Sequence, residues 1–582
     1  MLTGQSNNDS RPMSVRGDGR ASASTWRERA LTLAPLVAVY LFVTWLTEPH
    51  FMADTVPYAD AVLSGDRVRI WEFGHLLWRP LGAAARATVF EPLLHALAGA
   101  DTRAGVVLVL VLTSWVAGLV CVLSLAGIVR RVCRREWVVL VACVAFVFAH
   151  GFLNFAQAGA SYVAGLAFLL LGMYALARGA RGGEDAARSA SWLTAMLAGA
   201  SLALAVGMWF LYIWALPAAI VSPLLLFGWT RQRLRLVVQT TLACALFGAV
   251  IFGAAMGILS IYTVEGFREW VLRASHGATT SGFARMVFGF ARSFINMGND
   301  GMLFKRFMLK DPYNPVSLVE IFRLSLWKLG LFYLFIAAVV VNLARSGMGR
   351  RVLALLTLSA LPMLGFAVVW QGGDIERYLP LYPFVFLALA CALESERGIP
   401  WLKGVALLFV VLMGVTSVGV MAKPVLRRQE AAVMSRLEAV RPRLKPESTV
   451  VTVHQQDELW KANYSFPFNP FFREHANLVY AAAALGTVHT LRWREDFASH
   501  AFKTWRAGGD VWLSKRLYAS RPRAEWNWVE GFAPMSWTEL HEFFAQMETG
   551  EAVGDEDGFV LLLNSERNQQ RLRPLAERDE TK

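Results

Sequence analysis

The sequence predicts an all-α polytopic membrane protein, with about eleven transmembrane helices and a small C-terminal α/β soluble domain. Three observations predict it. Hydrophobic residues make up 55% of the 582 and charged residues only 17%, at a mean hydropathy of +0.41. Soluble domains carry roughly 25% charged residues. Apolar runs near the length of a bilayer crossing recur from Leu31 to Met421. The loops between them alternate between basic and acidic or mixed, as inner and outer loops do. The net charge of +13 is therefore read by its placement. No basic stripe lies on a soluble domain, so nucleic acid is excluded as a partner.

Residues 1–29 are polar and carry Arg11, Arg16, Arg20, Arg27 and Arg29. No small-residue cleavage site follows, so this is read as a disordered cytoplasmic tail rather than a cleaved signal. The membrane domain is expected over residues 30–422. Its apolar runs are 31–46, 105–128, 137–152, 162–177, 192–210, 212–229, 236–262, 329–343, 352–370, 379–393 and 405–421. Runs 192–210 and 212–229 nearly abut. Arginines flank them on both sides (Arg178, Arg181 and Arg188 before, Arg231, Arg233 and Arg235 after), so they form a hairpin. Its turn, MWFLYIW, is an aromatic cluster expected at the membrane interface. Arg130, Arg131, Arg134 and Arg135 are placed inside, with Arg345, Arg350 and Arg351. Outside lie loops 49–103, 150–161, 263–328 and 371–378, and everything after Ala422.

Loop 263–328 mixes Phe283, Phe288, Phe290 and Phe294 with Arg285, Arg292, Lys305 and Arg306. That mixture suits a helix lying in the headgroup layer, either as an anchor or as a basic cradle for a lipid phosphate. Residues 423–565 read as an extracytoplasmic (periplasmic) α/β domain. Strands are expected at 448–453, 487–492, 510–514 and 558–563, and helices at 431–440, 477–485, 497–506 and 537–547. His454–Asp457 follows a strand end, where such sheets place ligands. Residues 566–582 are charged and expected to be a disordered tail. The five cysteines lie in spans or an inner loop, so no disulfide framework is available.

Chemistry concentrates in residues 49–82. Asp54 stands just past the first span, in ADTVPYADAV. A carboxylate there can act as general base on an acceptor hydroxyl, or can cap the helix that follows. Asp60 either sits near Asp54 or is solvated. His75 and Arg79 are spaced i and i+4, which places them on one helical face. They can bind a phosphate or pair with Glu72. The spacing fixes no cofactor, and a divalent cation is the one candidate. A second signal is QGGDIERYLPLYP, residues 371–383, with Asp374, Glu376 and Arg377 between two spans. Arg377 can complete an anion site from across the bundle, or be held by Glu376. The span middles carry essentially no ionisable residues, and no repeat of paired broken helices is visible. Ion-coupled transport is disfavoured on both counts.

An acidic residue after the first span, a long first outer loop, many spans and a late RYLPLYP together resemble the GT-C superfamily of membrane glycosyltransferases. GHLLWRPLG, residues 74–82, is similar to an HLLYxPLG-like stretch of some members. The resemblance spans residues 31–421 in architecture and two short motifs in residues. It implies an inverting glycosyltransferase that uses a polyprenyl-phosphate-linked sugar, with Asp54 as base on the acceptor. Many members carry a second acidic residue beside the first, where this chain has Thr55. The outer cations Arg377, Arg285, Arg292, Lys305 and Arg306 are expected on the donor phosphate. Asp60, His75, Arg79 and Glu376 are expected to bind acceptor or support the site. Expected partners are the lipid-linked donor, membrane lipids and a glycan, lipid or protein acceptor. The expected location is a bacterial inner membrane, N-terminus inside. Two other readings stay open: a flippase or exporter of lipid-linked glycan, and a non-catalytic scaffold for envelope assembly.

Overall fold

The computed structural model describes residues 26–49, 54–87, 102–181, 187–274, 282–297, 307, 310, 315–424, 439–445, 447–451, 493–519, 537–556 and 558–580. Every expected apolar run falls on helix, as lipid demands of backbone that water cannot satisfy. Among the described residues, eight helices are long and apolar enough to cross a membrane. Three shorter apolar helices, Thr32–Leu46, Glu136–Phe148 and Trp192–Met208, account for the other runs. The run 137–152 is broken at Ala149, whose ψ of 125° ends one helix and starts another, His150–Phe155.

The helices differ in what they face. Ile375–Glu394 is almost wholly enclosed and forms the middle of the bundle. It opens as a 3-10 turn through Leu381, continues as helix Tyr382–Glu394, and packs Tyr382 and Phe386 against Phe146 and Phe294. At the rim, Arg231–Ile258 exposes Leu234, Val238, Leu242, Leu246 and Val250, one row at i+4 spacing turned to lipid. The basic loops gather at one end. There Arg130 pairs with Glu136 at 3.0 Å, Arg131 lies over Tyr174, and Arg135 meets Glu396 at 3.5 Å.

The ends of the first and last spans meet at the other end. Thr47 and Ala422 form an antiparallel bridge, and the Glu48 amide donates to the Met421 carbonyl. Beyond them lies a four-stranded sheet: β1 (Thr449–Val451), β2 (Val511–Ser514), β3 (Thr549–Val553) and β4 (Phe559–Leu562), in the order β1-β2-β4-β3. β1 and β2 are parallel, with Thr449 opposite Val511; β2 and β4 are antiparallel, with Val511 opposite Leu562. Alternation along the strands splits the side chains between two cores. Val450, Trp512, Val553 and Phe559 share a core with the membrane helices. Val451, Val511, Leu513 and Leu562 lie under helices Trp493–Arg506, Trp537–Ala545 and Glu566–Glu580.

Three expectations change. The charged tail is a helix, Glu566–Glu580, because Leu572 and Ala576, one turn apart, are buried on the sheet domain. The helix Phe283–Phe294 does not lie free on the headgroups. Its Met286, Phe290 and Phe294 are buried, with Phe290 on Tyr378 and Phe332, and of its phenylalanines only Phe283 stands well exposed. The aromatic turn 208–214 does not stand free at the surface: Trp209, Leu211 and Tyr212 are buried in the bundle. Strand β3 was not expected. The expected elements at 477–485 and 487–492 and the His454–Asp457 stretch lie outside the described residues, as does all but the end of 431–440.

Candidate active site at the carboxylate end of the bundle

Asp54 precedes the short helix Thr55–Ser64, which ends at Gly65 with a φ of 67° that favours glycine. Asp54 stands at the cap position, yet its side chain makes no cap hydrogen bond. It is used elsewhere. The Tyr162 hydroxyl donates to Asp54 Oδ2 at 2.7 Å and the Tyr58 hydroxyl to the same oxygen at 3.3 Å. Tyr58 is one helical turn on from Asp54. Tyr162 arrives from the start of helix Ser161–Gly179. Gly159 makes that meeting feasible, since a Cβ there would stand 2.7 Å from Thr55 Cγ2 and 2.8 Å from Leu110 Cβ.

From Tyr162 the contacts run across the bundle. Its ring packs on Trp209 at 4.6 Å, and the Arg377 guanidinium lies 5.9 Å from Trp209 and 4.9 Å from Trp370. Arg377 donates to Gln371 Oε1 and stands 3.8 Å from the Asp374 carboxylate. Gln371 has a φ of 47°, a strained value for a residue with a Cβ, at the turn that aims its amide at Arg377. Arg292 donates to the Gly373 carbonyl at 3.0 Å. Arg377 Nε is buried without a hydrogen-bond partner among the described residues.

Asp374 ties the two halves together. Solvent still reaches 44% of its side chain, although protein walls surround it. Burial first, with the Asp54 charge adding, pushes its carboxyl above the ordinary value; Arg377, Arg292 and Arg285 oppose that. The Asp54 charge and the three arginines thus all act on the Asp374 carboxyl, at the same end of the bundle. Glu376 is buried beside it and also feels the Asp54 charge.

The sequence-expected residues therefore sort as follows. Asp54, Arg377, Arg292, Arg285 and Glu376 converge. Asp60 is on the same helix as Tyr58 but two residues on, which turns it toward another face. His75 and Arg79 do not share a helical face: His75 ends a 3-10 turn and Arg79 lies in the next helix, Trp78–Ala85. His75 Nδ1 is 2.7 Å from the Ser161 hydroxyl. Arg79 pairs with Glu72, donates to the Arg69 carbonyl and lies 4.9 Å from the Tyr58 ring centre. Both brace the Tyr58 side of the site. Lys305 and Arg306 lie outside the described residues. Sequence reasoning missed Tyr162, Trp209, Trp370 and Gln371, and gave Tyr58, which stands i+4 from Asp54 in the same loop, no role. Among the described residues, no group of three or more His, Cys, Asp or Glu stands ready to hold a metal ion. A cavity of about 400 Å³ lies at the opposite, basic end, lined by Cys133, Gly347, Cys391 and Arg397, and touches none of these groups.

No protein-family model and no curated protein matches the chain. Solved structures do match. ArnT from Cupriavidus metallidurans bound to undecaprenyl phosphate aligns at a TM-score of 0.50 and 12% identity, over 94% of this chain and 99% of that one. The oligosaccharyltransferase of Archaeoglobus fulgidus in its apo form aligns at 0.44 and 15%, over 93% of this chain and 75% of that one. The fold assignment rests on the first. The chain has the GT-C fold, that of a polytopic membrane protein.

Proposed function

We propose that this GT-C-fold protein moves a sugar from a polyprenyl-phosphate-linked donor to a hydroxyl acceptor, with inversion, at the outer face of a membrane. One observation carries the reading. A carboxylate held by two phenols, Asp54, is linked through the Tyr162–Trp209 ring contact to an arginine beside two indoles, Arg377.

The chemistry follows from that pair. The acceptor oxygen attacks the anomeric carbon on the side away from the phosphate, and its proton passes to Asp54. The carbon–oxygen bond to the phosphate breaks, and the electron pair leaves on the polyprenyl phosphate. Arg377 receives that charge, with Arg292 and Arg285 near by. Fixed cations aimed at developing charge in a site of restricted water supply several kcal/mol. No proton need reach the leaving group. The lipid chain stays in the bilayer, along helices whose exposed rows are already apolar. The fold of ArnT, whose structure holds undecaprenyl phosphate, supports a lipid phosphate as leaving group.

The test is mass spectrometry of envelope glycans from cells with and without the protein, which should show one sugar substitution lost. Identical glycans would overturn the reading. Asp54→Asn keeps shape and loses the base, so transfer should fall by about 100- to 10,000-fold. Thermal stability should fall by no more than about 1 kcal/mol, because the carboxylate makes no cap bond and the amide oxygen can still accept from both phenols. A fully active Asp54→Asn enzyme would remove the base from the mechanism.

A further inference from the structure

We infer that Tyr162 and Tyr58 are positioning residues for Asp54: both hold Oδ2, and so leave Oδ1 as the oxygen that takes the acceptor's proton. This rests on the transfer reading above and adds to it which atom acts and what aims it.

The two hydrogen bonds, 2.7 Å from Tyr162 and 3.3 Å from Tyr58, end on the same carboxylate oxygen. Oδ1 has no partner among the described residues. A free carboxylate turns about its terminal torsion, which is broad and roughly two-fold. Two donors on one oxygen stop that turning. The donors are themselves fixed. Tyr162 is wedged between Trp209 at 4.6 Å and Phe155, edge-on at 5.0 Å. Its own carbonyl accepts from the Tyr212 hydroxyl at 2.6 Å. Tyr58 lies between the His75 ring, at 5.1 Å, and the Arg79 guanidinium. The Ser161 hydroxyl, which also meets His75 Nδ1, is within hydrogen-bonding reach of Tyr58. Burial pushes the Tyr58 phenol well above its usual value, so it remains a donor at neutral pH.

Packing alone does not account for the hydroxyls. Phenylalanine would fill the same space beside Trp209 and His75. A phenol in a dry place without a partner is costly, and here both phenols point at one charged atom. A base aimed within a fraction of an ångström is what a proton transfer at the moment of attack requires.

The experiment uses the purified full chain in vesicles. The probe is a panel of undecaprenyl-phosphoryl hexoses and pentoses labelled in the sugar, with an envelope extract as acceptor. Tyr162→Phe and Tyr58→Phe are compared with wild type and with Asp54→Asn. Each phenylalanine variant should lose about tenfold or more in kcat, the usual strength of a hydrogen bond to a charged group. The donor KM should stay within about twofold, since neither hydroxyl touches Arg377. A carboxylate stripped of a donor holds its proton more tightly, so the acid limb of the rate profile should move to higher pH. A packing role would move neither kcat nor that limb. If Asp54→Asn is inactive while both phenylalanine variants keep wild-type kcat and pH profile, the positioning role is overturned and the base stands. If Asp54→Asn is itself active, both fall together. Should Tyr162→Phe fail to fold, Tyr58→Phe decides alone: it bonds the same oxygen and predicts the same shift.

Discussion

Arg377 is held in a way that lysine cannot copy. Its guanidinium lies between Trp209 and Trp370, bonds Gln371 and faces Asp374, with 11% of its side chain open to solvent. A flat, delocalised cation stacks on indole rings and keeps a fork of donors free for an anion; an ammonium does neither well. Arg377→Lys should therefore weaken undecaprenyl phosphate binding to the purified protein by about tenfold or more, the scale of one charged hydrogen bond. Arg377→Ala should abolish it. Unchanged binding in Arg377→Ala would return this residue to a structural role. Asp54 and Arg377 were both legible in the sequence, because charge beside an apolar run is rare enough to stand out. Tyr162, Trp209 and Trp370 were not. Aromatic residues are at home at bilayer interfaces and in cores, so their presence inside an apolar run says nothing about what their polar tips do. The Asp54–Tyr162 bond also joins residues 108 positions apart, beyond any local pattern.

The elements that carry these residues are set by close approaches that no hydrophobicity plot records. Helix Phe283–Phe294, which brings Arg285 and Arg292, lies flat against the turn before Arg377 at Gly289. A Cβ on Gly289 would stand 2.0 Å from the Gly372 carbonyl oxygen, and backbone cannot swing aside as a side-chain tip can. Gly289→Ala should cost about 1–3 kcal/mol by overpacking, although alanine is the better helix former. Thermal unfolding and donor KM should both report it. A variant as stable as the wild type, with unchanged KM, would mean that the helix does not dock there. The run lengths misled in one direction. Residues 137–152 read as one span because nothing in AFVFAHGF announces the turn at Ala149; it brings Phe152 back onto Phe146, which packs on Tyr382 of the central helix. The tail 566–582 misled in the other. Two apolar positions in register, Leu572 and Ala576, suffice to seat a helix on an existing core, and composition is blind to so thin a row.

At the scale of the molecule, the arginine-rich loops stand at one end and the Asp54–Arg377 cleft at the other. Basic loops remain in the cytoplasm, so the cleft and the sheet domain should lie outside. Alkaline phosphatase fused after Val440 should be active and a cytoplasmic fluorescent reporter there dark; the reverse pattern would put the cleft inside and defeat the proposed outer-face transfer. The general architecture was readable, since the number of apolar runs and the charge of their loops are properties of sequence alone. The clasp between Thr47 and Ala422 was not, and it bears on how the molecule is made. Ribosomal synthesis delivers the two halves of the cleft at different times. Asp54 and its phenols, Tyr58 and Tyr162, emerge in the first third of the chain, while Arg377 follows much later and Ala422 after it. A nascent chain that stalls midway therefore owns a carboxylate with no cation to face it and a first span whose end has nothing to bridge. Only a chain translated past Ala422 can form the bridge to Thr47, and by then Arg377 has already been made.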